Sequence, residues 1–412
     1  MSKQTLLPFT QITRGILQSL TWEIISLLMS VPASILINRG LGAEERGLFS
    51  LLTLTPIIII TIGTCQWNRI VTGLLTSHKI SSQEAYRKTV YYTKILSYIV
   101  IPSGIFICLL QTNLPLNHRV ISSLYILTFP FIMFSTSISS ICIGSGSISN
   151  QYWIRLSFQA SYLGFTLILY LSNQLSLSWL FAIHAISWTL SFMIANKIAS
   201  GLSPGEISSK KPSLVNLVKN SGPYALEIFS SNVDVLAFSL VSPVVILGYY
   251  AGISGIMQPI SIVSNALISG STAKLNWNNL SSVISYLFKS MLIFSGLAAG
   301  VVFLSMEIGP SMLELFLGKS YEGGRWMIPW IGGIVICKSI SLQFHSSVQL
   351  AGFNDEYIFI QTLEAFFRVG LVFCFGLFLK EYGVIIGLLL SYMAKSVACV
   401  FIIISKKSEL ST

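Results

Sequence analysis

Twelve stretches of almost unbroken apolar residues alternate with short polar turns along this chain. They lie near 15–38, 46–69, 89–111, 120–145, 151–172, 176–196, 213–241, 244–270, 282–306, 323–350, 356–379 and 382–405. Crossing a hydrocarbon layer about 30 Å thick takes roughly 20 residues of helix, and each stretch is about that long. Period-two alternation is absent, so helices rather than barrel strands must satisfy the backbone in lipid. Pro32, Pro56, Pro102, Pro130 and Pro259 fall inside the stretches and are expected to kink them. The longest polar connection, Lys197 to Pro212, is rich in Gly, Pro and Ser and reads as a flexible linker. It divides the chain into a lobe at 1–197, a linker at 198–212 and a lobe at 213–412. The expected fold is an all-α polytopic membrane protein with about twelve transmembrane helices.

The two halves resemble each other. Trp22-Glu23-Ile24-Ile25-Ser26 matches Leu226-Glu227-Ile228-Phe229-Ser230, and Gly47-Leu48-Phe49-Ser50 matches Gly248-Tyr249-Tyr250-Ala251. Gly144-Ser145-Gly146, followed by Asn150, corresponds to Ala351-Gly352-Phe353-Asn354. Chance similarity between apolar helices explains one such match more easily than several in the same order. Two pseudo-symmetric six-helix lobes around a central cavity are the architecture of a transporter.

Composition agrees with a membrane setting. Only 10% of the 412 residues are charged, against about 25% in a soluble domain whose surface faces water. Basic residues gather on one set of connections, including Arg87, Lys88, Lys210, Lys211, Lys406 and Lys407. The other side holds fewer: Arg39, Arg46, Arg119, Lys319, Arg325 and Lys380. The positive-inside rule then places both termini in the cytoplasm of a multi-pass protein of the cytoplasmic (inner) membrane. The net charge of +10 is accounted for by an anionic leaflet and implies no nucleic-acid partner. The six cysteines all fall in the apolar stretches without a Cys-x-x-Cys pair, so neither zinc nor a disulfide framework is expected. The first stretch lacks a signal-peptide cleavage pattern and reads as a retained helix.

At four places the chain resembles the polysaccharide and O-antigen flippases of the multidrug/oligosaccharidyl-lipid/polysaccharide (MOP) superfamily. Asn38-Arg39-Gly40-Leu41-Gly42 with Glu44-Glu45-Arg46-Gly47-Leu48-Phe49-Ser50 is similar to the turn after that family's first helix. Asn232-Val233-Asp234 with Leu247-Gly248-Tyr249-Tyr250-Ala251 is similar to its seventh helix and the entry to its eighth. Gly144 to Arg155 resembles the turn between helices four and five. Leu315-Phe316-Leu317-Gly318, ending in Tyr321-Glu322, resembles the loop before helix ten. The resemblance implies a lipopolysaccharide-type biosynthetic flippase, which moves an undecaprenyl-pyrophosphate-bound oligosaccharide between leaflets. It implies no cofactor; its partners would be the lipid-linked oligosaccharide, membrane lipids and a glycan polymerase complex.

Ionisable side chains deep in a bilayer are costly, so they face a bundle interior, a wet cavity or a partner. Glu227 and Asp234 are two helical turns apart on one face, and Glu23 holds the matching place in the first half. The three are candidates to line a central cavity and bind a coupling cation or proton; snorkelling or capping of neighbouring helices is the alternative. Glu364 and Arg368, four apart, have the spacing of an ion pair or of a ligand site. A pyrophosphate needs cations. The substrate-path candidates are Lys94, Lys338 and Arg368 within the stretches, and Arg69 and Arg155 at their cytoplasmic mouths. Snorkelling and loop anchoring account for the same cations. His184 and His345 read as hydrogen-bonded core residues.

Two other functions compete. A cation-coupled exporter of the MATE type shares the broad fold, but its cation site would be a denser acidic cluster than the first half offers. A membrane glycan polymerase or ligase would carry acceptor groups in a large external loop, whereas the longest outer connection, near 307–322, holds no His-, Asp- or Cys-rich constellation. Nor does any phosphate-binding glycine loop or nucleophile elbow occur, so the chain is not expected to be an enzyme.

Overall fold

The computed structural model describes residues 9–76, 80–111, 114–201, 222–257, 264, 280–307, 309–350 and 353–406. Among them every regular element is helical. They are α1 (Phe9–Gly63), α2 (Trp67–Thr76), α3 (Ser82–Leu109), α4 (Leu116–Ile126), α5 (Phe129–Gly144), α6 (Ile148–Leu171) and α7 (Leu177–Ser200). After these come α8 (Gly222–Ser231), α9 (Val233–Val241), α10 (Val244–Met257), α11 (Leu280–Glu307), α12 (Gly309–Leu317), α13 (Met327–Leu350) and α14 (Asn354–Ser405). The first residues of the predicted linker, 198–200, are the last of α7; 202–212 lie outside the described residues, as do Pro259 and the Ala351-Gly352 part of the second glycine turn.

Among the described residues, seven helices are long and apolar enough to cross a membrane, eight if the bent pair α8–α9 is one span. Two of the seven are double. α1 has 55 residues and α14 has 52, about 80 Å each at 1.5 Å per residue, far more than one crossing needs. Non-helical backbone interrupts α1 at Gly42 (φ 75°) and α14 at Lys380 (φ 53°).

Contacts show that the chain reverses at both. Before Gly42, Glu23 meets Arg155 near the start of α6, whereas Gly40 lies against Tyr170 and Leu175 at its far end. After Gly42, Ser122 Oγ donates to Leu52 O, Trp67 Nε1 donates to Thr89, and Gly144 packs on Leu75. The second arm thus returns to the end where α6 begins. In α14, Gly383 lies on the Phe375 carbonyl, and Gly387 on Val372, Lys395 with Glu364 and Lys406 with Glu356 continue down the hairpin. Each of the twelve predicted stretches therefore has a helical counterpart among the described residues.

Local chemistry sets the ends and breaks. Ser81 caps α3 by accepting from Glu84 N, so that helix starts seven residues before the apolar run predicted at 89. Pro130 cannot donate a backbone hydrogen bond, and the predicted single span at 120–145 is broken into α4 and α5 just before it. The bend of 43° between α8 and α9 involves no proline. There Asn232 Nδ2 donates to Ile228 O at 2.8 Å, replacing a backbone bond. The break leaves Asp234 in the first turn of α9, where the helix dipole favours a carboxylate. The connection read as an outer loop near 307–322 folds into α12 and a 3-10 turn at Lys319–Gly324.

Two lobes follow from the cores. One buried apolar cluster draws only on residues from Ile37 to Ala199. Two others come from the second half, Ala43 excepted. Large apolar side chains such as Phe378 and Phe401 stand fully outward, as lipid permits and water would not. All six cysteines are free.

Candidate functional site

The lobes join through the two glycines that the sequence repeat pairs. A methyl group on Gly47 would stand 2.1 Å from Val244 O, and one on Gly248 would stand 1.7 Å from Ala43 O. Ala43 is to Val244 as Gly47 is to Gly248, so the contact is reciprocal, as two equivalent surfaces across a twofold axis must be. Backbone touches backbone there because neither residue has a side chain. Beside it, Tyr321 Oη donates to Asn38 Oδ1 at 3.3 Å, both residues fully buried. Tyr321 also fills the space over Gly252, and Ser34 packs on Gly255.

Arg46 enters this seam. Its neighbours Glu44 and Glu45 are exposed, but its guanidinium lies 5.3 Å from the Phe49 ring centre and within electrostatic reach of Tyr162 and Tyr321, one from each lobe. Its Nε is buried without a hydrogen-bond partner. Among the described residues no carboxylate pairs with it.

The first lobe holds its acid in an internal pair. Arg155 Nη1 donates to Glu23 Oε1 at 2.7 Å, Tyr152 Oη also approaches that carboxylate, and Ser26 Oγ donates to Gln159 at 2.7 Å. Trp22 stacks on Tyr152 with ring centres 5.6 Å apart. These contacts tie α1 to α6. A cavity of about 340 Å³ opens alongside, between α2, α5, α6 and α7, with Arg155 and Gln159 in its wall.

The second lobe holds a charged cluster on α8, α9 and α14. Glu364 pairs with Arg368 on its own helix and with Lys395 at 3.6 Å across the hairpin. Arg368 lies 4.5 Å from the centre of the Tyr392 ring, and its Nη1 reaches Ser230 O at 3.4 Å. Tyr250 Oη donates a short hydrogen bond to Asp234. Glu227 and Asp234 act electrostatically on Lys395 and Arg368 respectively. Ser26 Oγ donates to Gln159 on the fifth span, whereas the backbone carbonyl of Ser230 accepts from Arg368 on the eleventh, so the repeated serines face corresponding helices through different groups.

The predicted site residues therefore separate into groups. Glu23 is with Arg155; Glu227 and Glu364 lie by Lys395, and Asp234 and Glu364 by Arg368. No described contact joins Glu23 to Glu227 or Asp234 across the lobes. Lys94 is exposed on the outward face of α3 that carries Tyr91 and Tyr98, away from the cavity. Lys338 is exposed on α13 with Trp330 and Leu342. Arg69 belongs to α2, and its side chain lies outside the described residues. Tyr125 holds His184 at 2.8 Å and the Tyr357 carbonyl meets His345, as expected of core histidines. Arg46 went unrecognised because two adjacent glutamates make it read as a loop charge.

Neither a family model nor a curated protein matches this sequence. Solved structures do. The inward-facing conformation of a multidrug resistance MATE family transporter of the MOP superfamily superposes with TM-score 0.71 at 12% identity, covering 94% of this chain and 95% of that one. The chain has the MATE-type two-lobed fold. The outward-facing conformation of a MATE family transporter gives 0.69 at 14% identity over 97% and 96% of the two chains. The lipid II flippase MurJ, inward closed, gives 0.69 at 13% over 92% and 86%. The shared fold thus spans MATE family transporters and a flippase.

Proposed function

We propose that this protein is a flippase that carries a lipid-linked oligosaccharide with an anionic pyrophosphate head across the cytoplasmic membrane. One observation carries the reading: Arg46 points into the seam between the lobes, and among the described residues no carboxylate pairs with it. Glu23, Asp234 and Glu364 already have partners. A half-buried guanidinium with no carboxylate paired to it among the described residues is a natural partner of a phosphate oxygen. In the orientation that the basic residues imply, the Gly42 end faces outward. The seam is then the closed outer gate of a carrier that alternates by rocking its lobes. The head would cross between the lobes while the lipid tail stays in the bilayer.

Proteoliposomes containing a fluorescent undecaprenyl-pyrophosphate oligosaccharide test this. Wild-type protein should equilibrate the lipid between leaflets. Arg46→Ala should slow this at least tenfold, and Arg46→Lys should retain part of the rate. Parental flipping by Arg46→Ala would remove the main support.

A second reading, a cation-coupled exporter of the MATE type, draws on the second-lobe cluster. It gathers three carboxylates, Glu227, Asp234 and Glu364, near Arg368 and Lys395, groups that a proton or Na⁺ could address. Uptake of a lipophilic cation driven by a proton or sodium gradient, without lipid flipping, would favour it.

A further inference from the structure

We propose that the first-lobe cavity is a subsite for the sugar part of the substrate, recognising an uncharged, hydroxyl-rich ring; this rests on the flippase reading for its substrate. Three residues in the cavity wall, from three helices, each carry a buried polar atom without a hydrogen-bond partner: Asn68 Oδ1 on α2, Ser135 Oγ on α5 and Trp188 Nε1 on α7. Ser135 is fully buried. Buried polar atoms normally find partners, and leaving several unmade in one place is costly. Here the three are an acceptor, a hydroxyl that does both, and a donor. Sugar hydroxyls, which donate and accept, satisfy such a mixed set.

The charges of the wall point the same way. Among the described side chains its cation is Arg155, which Glu23 engages at 2.7 Å. Among the described residues no carboxylate lines the cavity, so a cationic drug meets no negative charge there. What remains is neutral hydrogen bonding. Gln159 accepts from Ser26 through its carbonyl, which leaves its amide N–H groups for a ligand. Phe158 and Trp188 lie together, ring centres 4.4 Å apart, and offer an apolar surface to the C–H face of a sugar ring. The volume of about 340 Å³ is that of a small-ligand pocket. Arg155, half exposed, stands at the boundary between this cavity and the Glu23 side of α1.

Site-directed labelling of the full-length protein in nanodiscs tests the subsite. Ser139→Cys places a thiol on the wall, in a background with Cys337→Ser and Cys374→Ser. A small water-soluble maleimide reads its accessibility. A neutral oligosaccharide at millimolar concentration should slow labelling at least threefold. Inorganic pyrophosphate and tetraphenylphosphonium should not. Trp188→Phe keeps the ring but removes the N–H, and with Asn68→Leu it should abolish the protection. Absence of sugar protection, or protection by the organic cation, would overturn the proposal; unaltered labelling with all three probes would mean that water alone fills the cavity. The flipping assay separates the two ideas. Sugar protection without lipid flipping defeats the flippase reading and leaves the subsite; flipping without sugar protection does the reverse.

Discussion

Gly248→Val abolishes transport and leaves the protein open at its Gly42 end. The reason is steric. Even a single methyl at this position would lie 1.7 Å from the Ala43 carbonyl oxygen, and the obstacle is helix backbone, which cannot rotate away. The lobes can accommodate the side chain only by moving apart, so the equilibrium shifts towards the state in which the seam is parted. A carrier confined to one state cannot complete its cycle, so transport should fall at least tenfold. Asn38→Cys reports the opening: buried in the closed seam, its thiol should react with a membrane-impermeant maleimide at least threefold faster when Gly248→Val is present. Gly47→Ala is the milder partner experiment, since its methyl would meet Val244 O at 2.1 Å, and it should act in the same direction. Transport at the parental rate by both variants would show that the seam never needs to close.

Arg368→Ala lowers stability by about 3–5 kcal/mol, the range for removing one member of a buried ion pair. Arg368 and Glu364 are both buried and Lys395 is nearly so. Taking away the guanidinium leaves the Glu364 carboxylate with only Lys395 at 3.6 Å. It also removes the cation from the face of Tyr392 and the donor from Ser230 O. Thermal unfolding in detergent reads the loss as a lower midpoint. Because the penalty arises mainly from the stranded charge, Glu364→Gln combined with Arg368→Met should recover more than half of it. If Arg368→Ala unfolds at the parental midpoint, the cluster is hydrated and the argument from burial fails.

Much of this organisation is legible in the sequence. The twelve stretches, the break at Pro130 and the Glu364–Arg368 pair depend on neighbours in sequence, or on residues one helical turn apart. The repeat was also visible, since Gly47 and Gly248 sit in matching surroundings. Nothing in the chain, however, says that these two copies lie against each other rather than each against its own lobe. Glu23 and Arg155 are 132 residues apart, and their pairing depends on which faces of α1 and α6 meet. Lys94 was a substrate candidate by depth alone; its outward direction is a matter of how α3 is rotated. Arg46 illustrates the opposite error, a residue beside two exposed glutamates that the turn at Gly42 aims inward.

Span count, the duplicated plan and the membrane setting belong to the linear chain, because lipid forces each segment to satisfy its own backbone and makes long apolar runs unmistakable. The seam, the cavity and the partition of charges into two separate groups belong to the folded bundle. Each depends on the rotation of every helix about its axis, which is set by close packing between lobes and helices and leaves no periodic trace along the sequence.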